Sequence, residues 1–251
     1  MFNLLLVQPE KWSAEMKNYG DGMIVSGGDS AYFDHLVGVF QAVTRVTKGS
    51  PPPFGVIDFG LTPSQIDSLE RQFPGIQVKK PEPGWGLNIK ENRMQHWHAR
   101  CGSKLHLPVL FPEHKGVFTW IDSDTTILND SFIRAYADAA QYADVVLVKE
   151  DVPSYHINRV YLWWWQMNMR LCFGLQNASR IFHTVGYLNN GIMAARHDSP
   201  FWAAVQKRNE QAINAPVRYV FKKGNGVFNL GQHATAATLA LDDPSPAYIG
   251  A

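Results

Sequence analysis

Two carboxylates one residue apart, Asp122 and Asp124, close the stretch Val117-Phe118-Thr119-Trp120-Ile121-Asp122-Ser123-Asp124-Thr125-Thr126. Carboxylates spaced this way at a turn can reach one divalent cation. They leave coordination positions open for phosphate oxygens and water. Mn²⁺ or Mg²⁺ suits such oxygen ligands, and a cation there would neutralise a departing diphosphate. The plainer reading is that Asp122 opens a turn and Asp124 caps the next helix. A bare pair of this kind also arises by chance.

The elements around the pair decide between these readings. The apolar, β-branched and aromatic run from Val117 to Ile121 reads as a buried strand. In open α/β sheets, ligands bind where strands end at the carboxyl edge. Upstream, Met23-Ile24-Val25 reads as a short strand that breaks at Ser26-Gly27-Gly28-Asp29-Ser30, a loop whose backbone can approach a ligand. Leu36, Val37, Phe40, Val43 and Val46 then share one helical face. Phe54 to Phe59 is a second strand. Thr62-Pro63-Ser64-Gln65 is a capping box with proline at the first helical position. Ile76 to Val78 is a third strand, and a Pro/Gly-rich loop carrying Trp85 precedes a helical stretch over about 93–107.

Beyond the central strand, Asp130 is expected to cap a helix through about Gln141. Ala143 to Val148 forms the next strand and ends at Glu150-Asp151, an acid pair suited to acceptor hydroxyls or base chemistry, or simply to solvent. Arg159 to Phe173 reads as a helix rich in Trp163, Trp164, Trp165 and Met167. Core or interface packing is the leading account of that surface and a substrate platform the second. Tyr187 to Ala195 is a strand interrupted at Asn189-Asn190-Gly191. Helices follow from Pro200 to about Asn214 and from Leu230 to Leu241, with a loop at Gly224-Asn225-Gly226 between them. This alternation predicts an α/β fold, a doubly wound and mainly parallel sheet flanked by helices.

Bulk properties narrow the function classes. A chain of 251 residues with 45% hydrophobic content can bury one large core. A net charge of +1 with scattered Lys and Arg argues against nucleic acid as a partner. Cys101 and Cys172 lack metal or redox spacing. No apolar run reaches a membrane span. No basic residue precedes Phe2 to Val7, which disfavours a signal peptide. These observations lead to an expected reducing, cytoplasmic setting. Residues 1–21 read as a peripheral segment or linker and 22–251 as the domain, either by itself or as one module of a longer protein with further domains. His96 and His98 read as surface or core residues. There is no P-loop, dinucleotide fingerprint or nucleophile elbow.

The order of these pieces resembles nucleotide-sugar glycosyltransferases of the GT-A fold, and within them glycosyltransferase family 8. Asp29-Ser30-Ala31-Tyr32 resembles that family's D-x-N-Y loop against the nucleoside, with Ala31 in place of Asn. Lys104 stands where the family has a basic residue near the donor phosphates or sugar. On its own, a solvated lysine is the simpler reading. Trp120-Ile121-Asp122-Ser123-Asp124 is similar to the Y-L-D-x-D metal motif. Leu188-Asn189-Asn190-Gly191-Ile192-Met193 is similar to F-N-A-G-V-M, whose Asn and Gly border the donor sugar. Gly231-Gln232-His233 stands like D-Q-D, with Gly231 in place of the Asp.

The resemblance implies a metal-dependent hexosyltransferase. It would move a sugar, with retention, from a nucleotide sugar, UDP-linked in the family, to a carbohydrate or other hydroxyl acceptor. It places Asp29, Tyr32, Lys104, Asp122, Asn189 and Gly191 on the donor, and Gln232, Asn189 and Asp151 in catalysis. The metal would be held by Asp122 and Asp124. The family's late H-x-x-G-x-x-K-P-W segment, which gives the third ligand, is not in this sequence; either the sequence stops short of it or another residue serves, with His233 as the candidate.

Two other classes compete. Asp122-Ser123-Asp124-Thr125-Thr126 also resembles the first motif of haloacid-dehalogenase-like phosphatases, with Asp122 as nucleophile. That motif ordinarily opens its domain, whereas three strand–helix units precede it here. The third class is a non-catalytic nucleotide-sugar-binding module or a degenerate transferase domain, kept open by the departures at Ala31 and Gly231 and by the missing final segment.

Overall fold

The computed structural model describes residues 21–81, 102–149, 159–185, 188–214, 230–242, 244 and 246–249. Among them seven strands form one sheet in the order β3-β2-β1-β4-β6-β5-β7. They are β1 (Gly22–Gly28), β2 (Phe54–Asp58), β3 (Gln77–Lys79), β4 (Val117–Ile121), β5 (Val145–Lys149), β6 (Leu188–Arg196) and β7 (Pro246–Ile249). β1 pairs in parallel with β2 and β4, β2 with β3, and β5 with β7. β6 is antiparallel to both β4 and β5.

Alternation along the strands explains why both faces are covered. Met23, Val25, Phe118, Trp120, Val145 and Leu147 point into one core cluster, shared with Trp165, Met169, Phe201 and Trp202. Ile24, Val56 and Ile121 point the other way, onto Leu36, Phe40, Val43 and Leu69. Val117 and Val146 meet Tyr136, Ala139 and Ala140 on that second side. A strand buried on both faces reads as a nearly continuous apolar run; all five residues of β4 are buried, with Thr119 the one polar side chain among them.

Several expected elements match closely. The helices Phe33–Val46, Pro63–Gln72, Arg159–Phe173, Pro200–Asn214 and Leu230–Leu241 form where the periodicity put them. Thr62 and Gln65 make both halves of the capping box, with Gln65 N donating to Thr62 Oγ1 and Thr62 N to Gln65 Oε1.

Others need correction. β1 runs on through Gly27 and Gly28, which pair with Ile57 and Asp58, so the expected loop starts only at Asp29. Asp130 stands at the N-cap of the helix Ser131–Tyr142, but its side chain makes no capping bond. Its carboxylate pairs instead with Arg134, at 2.5 Å, and Asn129 Oδ1 accepts from Phe132 N at 3.4 Å. From Gly102 on, the stretch expected to be helical is a 3₁₀ turn, Ser103–His106, followed by the short helix Leu107–Leu110. A further helix, Leu175–Thr184, follows Gly174, whose φ is +84°. The readings at residues 1–20, Trp85, His96, His98, Glu150, Asp151, Tyr187 and Gly224-Asn225-Gly226 fall outside the described residues.

The Asn-Gly segment does not interrupt β6. It forms a bulge in it. Leu147 pairs with Met193, but the next residue, Val148, pairs with Asn189. Asn190, Gly191 and Ile192 therefore have no opposite number on β5. Such bulges re-aim side chains beside functional sites.

Candidate active site

β4 lies in the middle of the sheet and releases Asp122 at its carboxyl end. The Asp122 amide donates to Gly191 O at 2.7 Å, across to the bulge of β6. Its carbonyl accepts from Thr125 N at 3.0 Å, which closes the turn that carries Asp124. The carboxylate is thus fixed from both sides of its own backbone.

The side chain is held as well. Asp122 Oδ1 accepts from Trp120 Nε1 at 2.5 Å and from Lys104 Nζ at 3.2 Å. Lys104 Nζ also donates to Asn190 O at 3.0 Å and lies 5.5 Å from the Trp120 ring centroid. The Lys104 side chain is 9% exposed and that of Asp122 is 39% exposed. Burying an ammonium is costly unless an anion and acceptor groups surround it, and here the carboxylate, a carbonyl and an indole face do so. Lys104 is therefore not a solvated lysine. Its neighbour Ser103 is also buried.

Asp124 is exposed, and no described residue is bonded to its carboxylate. Asp122 Oδ2 and Asp124 give the turn carboxylate oxygens and nothing softer. A pair of carboxylates completed by water and phosphate oxygens is a donor set that Mg²⁺ and Mn²⁺ accept, so the residues present fit such a cation. His233 is not brought to them. It is 1% exposed in the core, with its ring 5.8 Å from that of Trp165 and inclined by 27°. Among the described residues no three His, Cys, Asp or Glu side chains are grouped so as to share a metal.

A second arm of the site lies at the same sheet edge. Asp29 Oδ1 accepts from Ala31 N at 3.0 Å and Tyr32 N at 3.3 Å, capping the short turn Ser30–Tyr32. Tyr32 is 52% exposed. Asp58, absent from the sequence-based set, braces this arm from the end of β2. Its buried Oδ1 accepts from Gly60 N at 2.7 Å and Leu61 N at 2.6 Å, while Gly60 O accepts from Ser30 N. Asp58 closes an apolar strand much as Asp122 does, and that was its signal.

Of the remaining expected residues, Asn189 and Gly191 lie in β6 at the edge beside Asp122. Gln232 is half-buried in the helix Leu230–Leu241, and its buried Oε1 has no hydrogen-bond partner among the described residues. Asp151 lies outside the described residues. Besides Asp58, two further contributors were missed, the Trp120 indole and Asn190. Asn190 is 3% exposed and its Nδ2 has no hydrogen-bond partner among the described residues.

A mixed sheet with one reversed strand, and carboxylates at the end of its middle strand, is the GT-A fold of nucleotide-sugar glycosyltransferases. The structure is similar to that of the galactosyltransferase LgtC in complex with donor and acceptor sugar analogues. The TM-score is 0.56 at 13% identity, over 90% of this chain and 72% of that one. The mannosyltransferase Ktr4p from S. cerevisiae in complex with GDP gives a TM-score of 0.53 at 15% identity, over 95% of this chain and 72% of that one. Core-mannan synthase A from Aspergillus fumigatus, in a Mn/GDP form, gives 0.50 at 10% identity, over 91% and 71% of the two chains. No family model and no curated protein matches the sequence. At these identities the likeness establishes the fold.

Proposed function

We propose that this chain is a glycosyltransferase that moves a sugar from a nucleoside-diphosphate donor to a hydroxyl of a carbohydrate or other acceptor, with residues 22–251 as its catalytic unit. The observation that carries this reading is the buried Lys104 ammonium, held between Asp122 Oδ1 and Asn190 O at the carboxyl end of the middle strand. Fixed charge at a strand end, in a poorly solvated setting, is what a departing diphosphate needs.

In this reading the bond between the anomeric carbon and the diphosphate oxygen breaks, and the acceptor oxygen forms the new glycosidic bond. Lys104 stabilises the leaving group electrostatically. Asp122 and Asp124 would hold a divalent cation, which would supply further charge neutralisation there. The Asp29–Tyr32 arm holds the nucleoside. Asn189 and Gly191 border the donor sugar, and Gln232 lies beneath the anomeric carbon, consistent with retention. Asp151 takes the acceptor proton. The base of the nucleotide follows from two sources that differ. The resemblance to family 8 implies UDP, whereas two structures of similar fold hold GDP. The cytoplasmic setting expected from the cysteines belongs to the same reading. Among the described residues no helix is long and apolar enough to cross a membrane.

The deciding experiment is titration calorimetry with UDP and GDP, each with and without Mn²⁺, followed by sugar release from a panel of UDP- and GDP-sugars. Binding of one nucleotide that strengthens with Mn²⁺, and release from a matching donor, is the expected result. Absence of nucleotide binding in all four conditions overturns the proposal. Binding without release from any donor moves the chain to the non-catalytic class.

A further inference from the structure

Between β5 and β6 lie two helices, Arg159–Phe173 and Leu175–Thr184, which turn at Gly174 and pack on each other. Their inner faces supply Trp165, Met169, Cys172, Ala178 and Ile181 to the core. The outer surface is unlike the rest of the chain. From 159 to 184 the sequence holds Arg159, Arg170, Arg180 and His183 and no Asp or Glu. The whole chain carries a net charge of +1, so these three arginines leave the remainder at −2.

Apolar side chains gather on the same hairpin. Trp163 is 58% exposed, Leu171 38%, Leu175 67% and Phe182 38%. Among the described residues they are half of the large hydrophobics left exposed. Scattered exposed apolar residues need no explanation, but a cluster marks a contact surface. An open groove of about 690 Å³ runs along it, lined by Gln166, Arg170, Leu175, Arg180, Phe182 and His183. An exposed tryptophan, aliphatic tips and arginines without a single carboxylate match the headgroup region of an anionic bilayer. There the guanidinium groups meet phosphates and the apolar tips enter the upper acyl region.

We infer that this hairpin docks the protein on an anionic phospholipid surface, with Arg170 and Arg180 at the phosphates and Trp163, Leu175 and Phe182 inserted beneath them. The net negative remainder of the chain is repelled by the same surface, which sets one orientation. The hairpin leaves and rejoins the sheet at the paired residues Lys149 and Leu188, at the edge that also carries Asp122. The inference rests on the hairpin alone and not on the transferase reading.

The test is co-sedimentation of the full chain, without nucleotide, with vesicles of phosphatidylcholine alone and of phosphatidylcholine mixed with phosphatidylglycerol. Binding is expected only to the mixed vesicles, weakening as salt is raised. Arg170→Glu with Arg180→Glu lowers it at least about tenfold. Trp163→Ser with Leu175→Ser lowers it too and removes part of the fluorescence quenching by brominated lipid. Circular dichroism and thermal melting confirm that each variant is folded. The inference fails if the wild-type chain does not bind the mixed vesicles, or if it binds neutral vesicles equally well. It also fails if binding survives both folded variants, or if inorganic phosphate displaces the protein completely, which would mark a soluble-phosphate site instead. Should a variant not fold, the brominated-lipid quenching of the wild-type chain decides alone, and unquenched fluorescence overturns insertion.

Discussion

Lys104 Nζ lies 3.2 Å from Asp122 Oδ1, and its side chain is far less exposed than the carboxylate it meets. The ammonium approaches from inside the protein and leaves the outer side of Asp122 to solvent. The same carboxylate is therefore shared between a built-in cation and whatever binds from outside.

That sharing predicts opposite effects of one substitution. Lys104→Met removes the competing charge, so Mn²⁺ alone should bind more tightly by calorimetry. Transfer from the nucleotide sugar should fall by about a hundredfold, because a charge fixed at the leaving group is lost. Weaker Mn²⁺ binding in Lys104→Met would show that the ammonium organises the carboxylate for the metal rather than competing with it.

Asp124 makes the complementary case. It is exposed and bonded to no described residue, so Asp124→Ala should leave the melting temperature within about 2 °C of wild type. Nucleotide binding should nevertheless lose its enhancement by Mn²⁺. A full Mn²⁺ effect in a folded Asp124→Ala variant would remove this residue from the metal site.

Gly27 couples stability to the site. A Cβ built there lies 2.8 Å from Phe59 Cε2 and 3.1 Å from both the Ile57 carbonyl oxygen and Trp120 Cη2. Gly27→Ala must displace one of these rings and should cost about 1–3 kcal/mol in chemical denaturation. If the indole is what moves, its bond to Asp122 loosens, and turnover falls further than the stability loss explains. Unchanged turnover would mean that Phe59 alone gives way.

Two histidines set an acid limit on stability. Burial lowers the His106 pKa below its usual value. Burial also lowers that of His114, with the Val117 carbonyl opposing and His197 adding to the shift. The unfolded chain therefore takes up these protons more readily than the folded one. Their contribution is fully present above the unfolded value of about 6.5 and is lost as pH falls through the lower folded values. The melting temperature should drop by a few degrees between about pH 7.5 and pH 5.5. His106→Gln together with His114→Gln should flatten that slope. An equal slope in the double variant would assign the acid sensitivity to other groups.

How far the sequence could be read depended on whether a feature was local. Helix periodicity, the capping box and the double-sided burial of β4 are written in neighbouring residues, and they match the structure. The carboxylates after β4 were legible for the same reason. The bulge was not, because it exists only in the pairing of β5 with β6. Asn189-Asn190-Gly191 by itself looks like an interruption. Trp120 looked like one more core aromatic, and its buried ring is one, but its N–H is a polar handle that finds Asp122. Lys104 read alone suggested solvent, since the carbonyl that holds it lies far along the chain. Leu175–Thr184 escaped because its buried face is only Ala178 and Ile181, a thin stripe on an otherwise exposed helix. His233 was assigned by analogy with a metal ligand, while its surroundings are those of a core ring against Trp165.

The antiparallel course of β6 has a consequence for how the protein is made. The groups that hold Asp122 come from Lys104, from Trp120 beside it, and from Asn190 and Gly191, with Lys104 and Asn190 separated by 86 positions in the sequence. The parallel strands β1 to β4 emerge from the ribosome first. They bring with them Asp29, Lys104 and both carboxylates, but not the carbonyls that anchor the lysine and the turn. Contacts this distant in sequence form late because a long loop must close first. A half-synthesised chain thus carries most of the charged groups of the site without the frame that orients them. Competence to hold a charged ligand would arrive in a single step, when β6 enters the sheet.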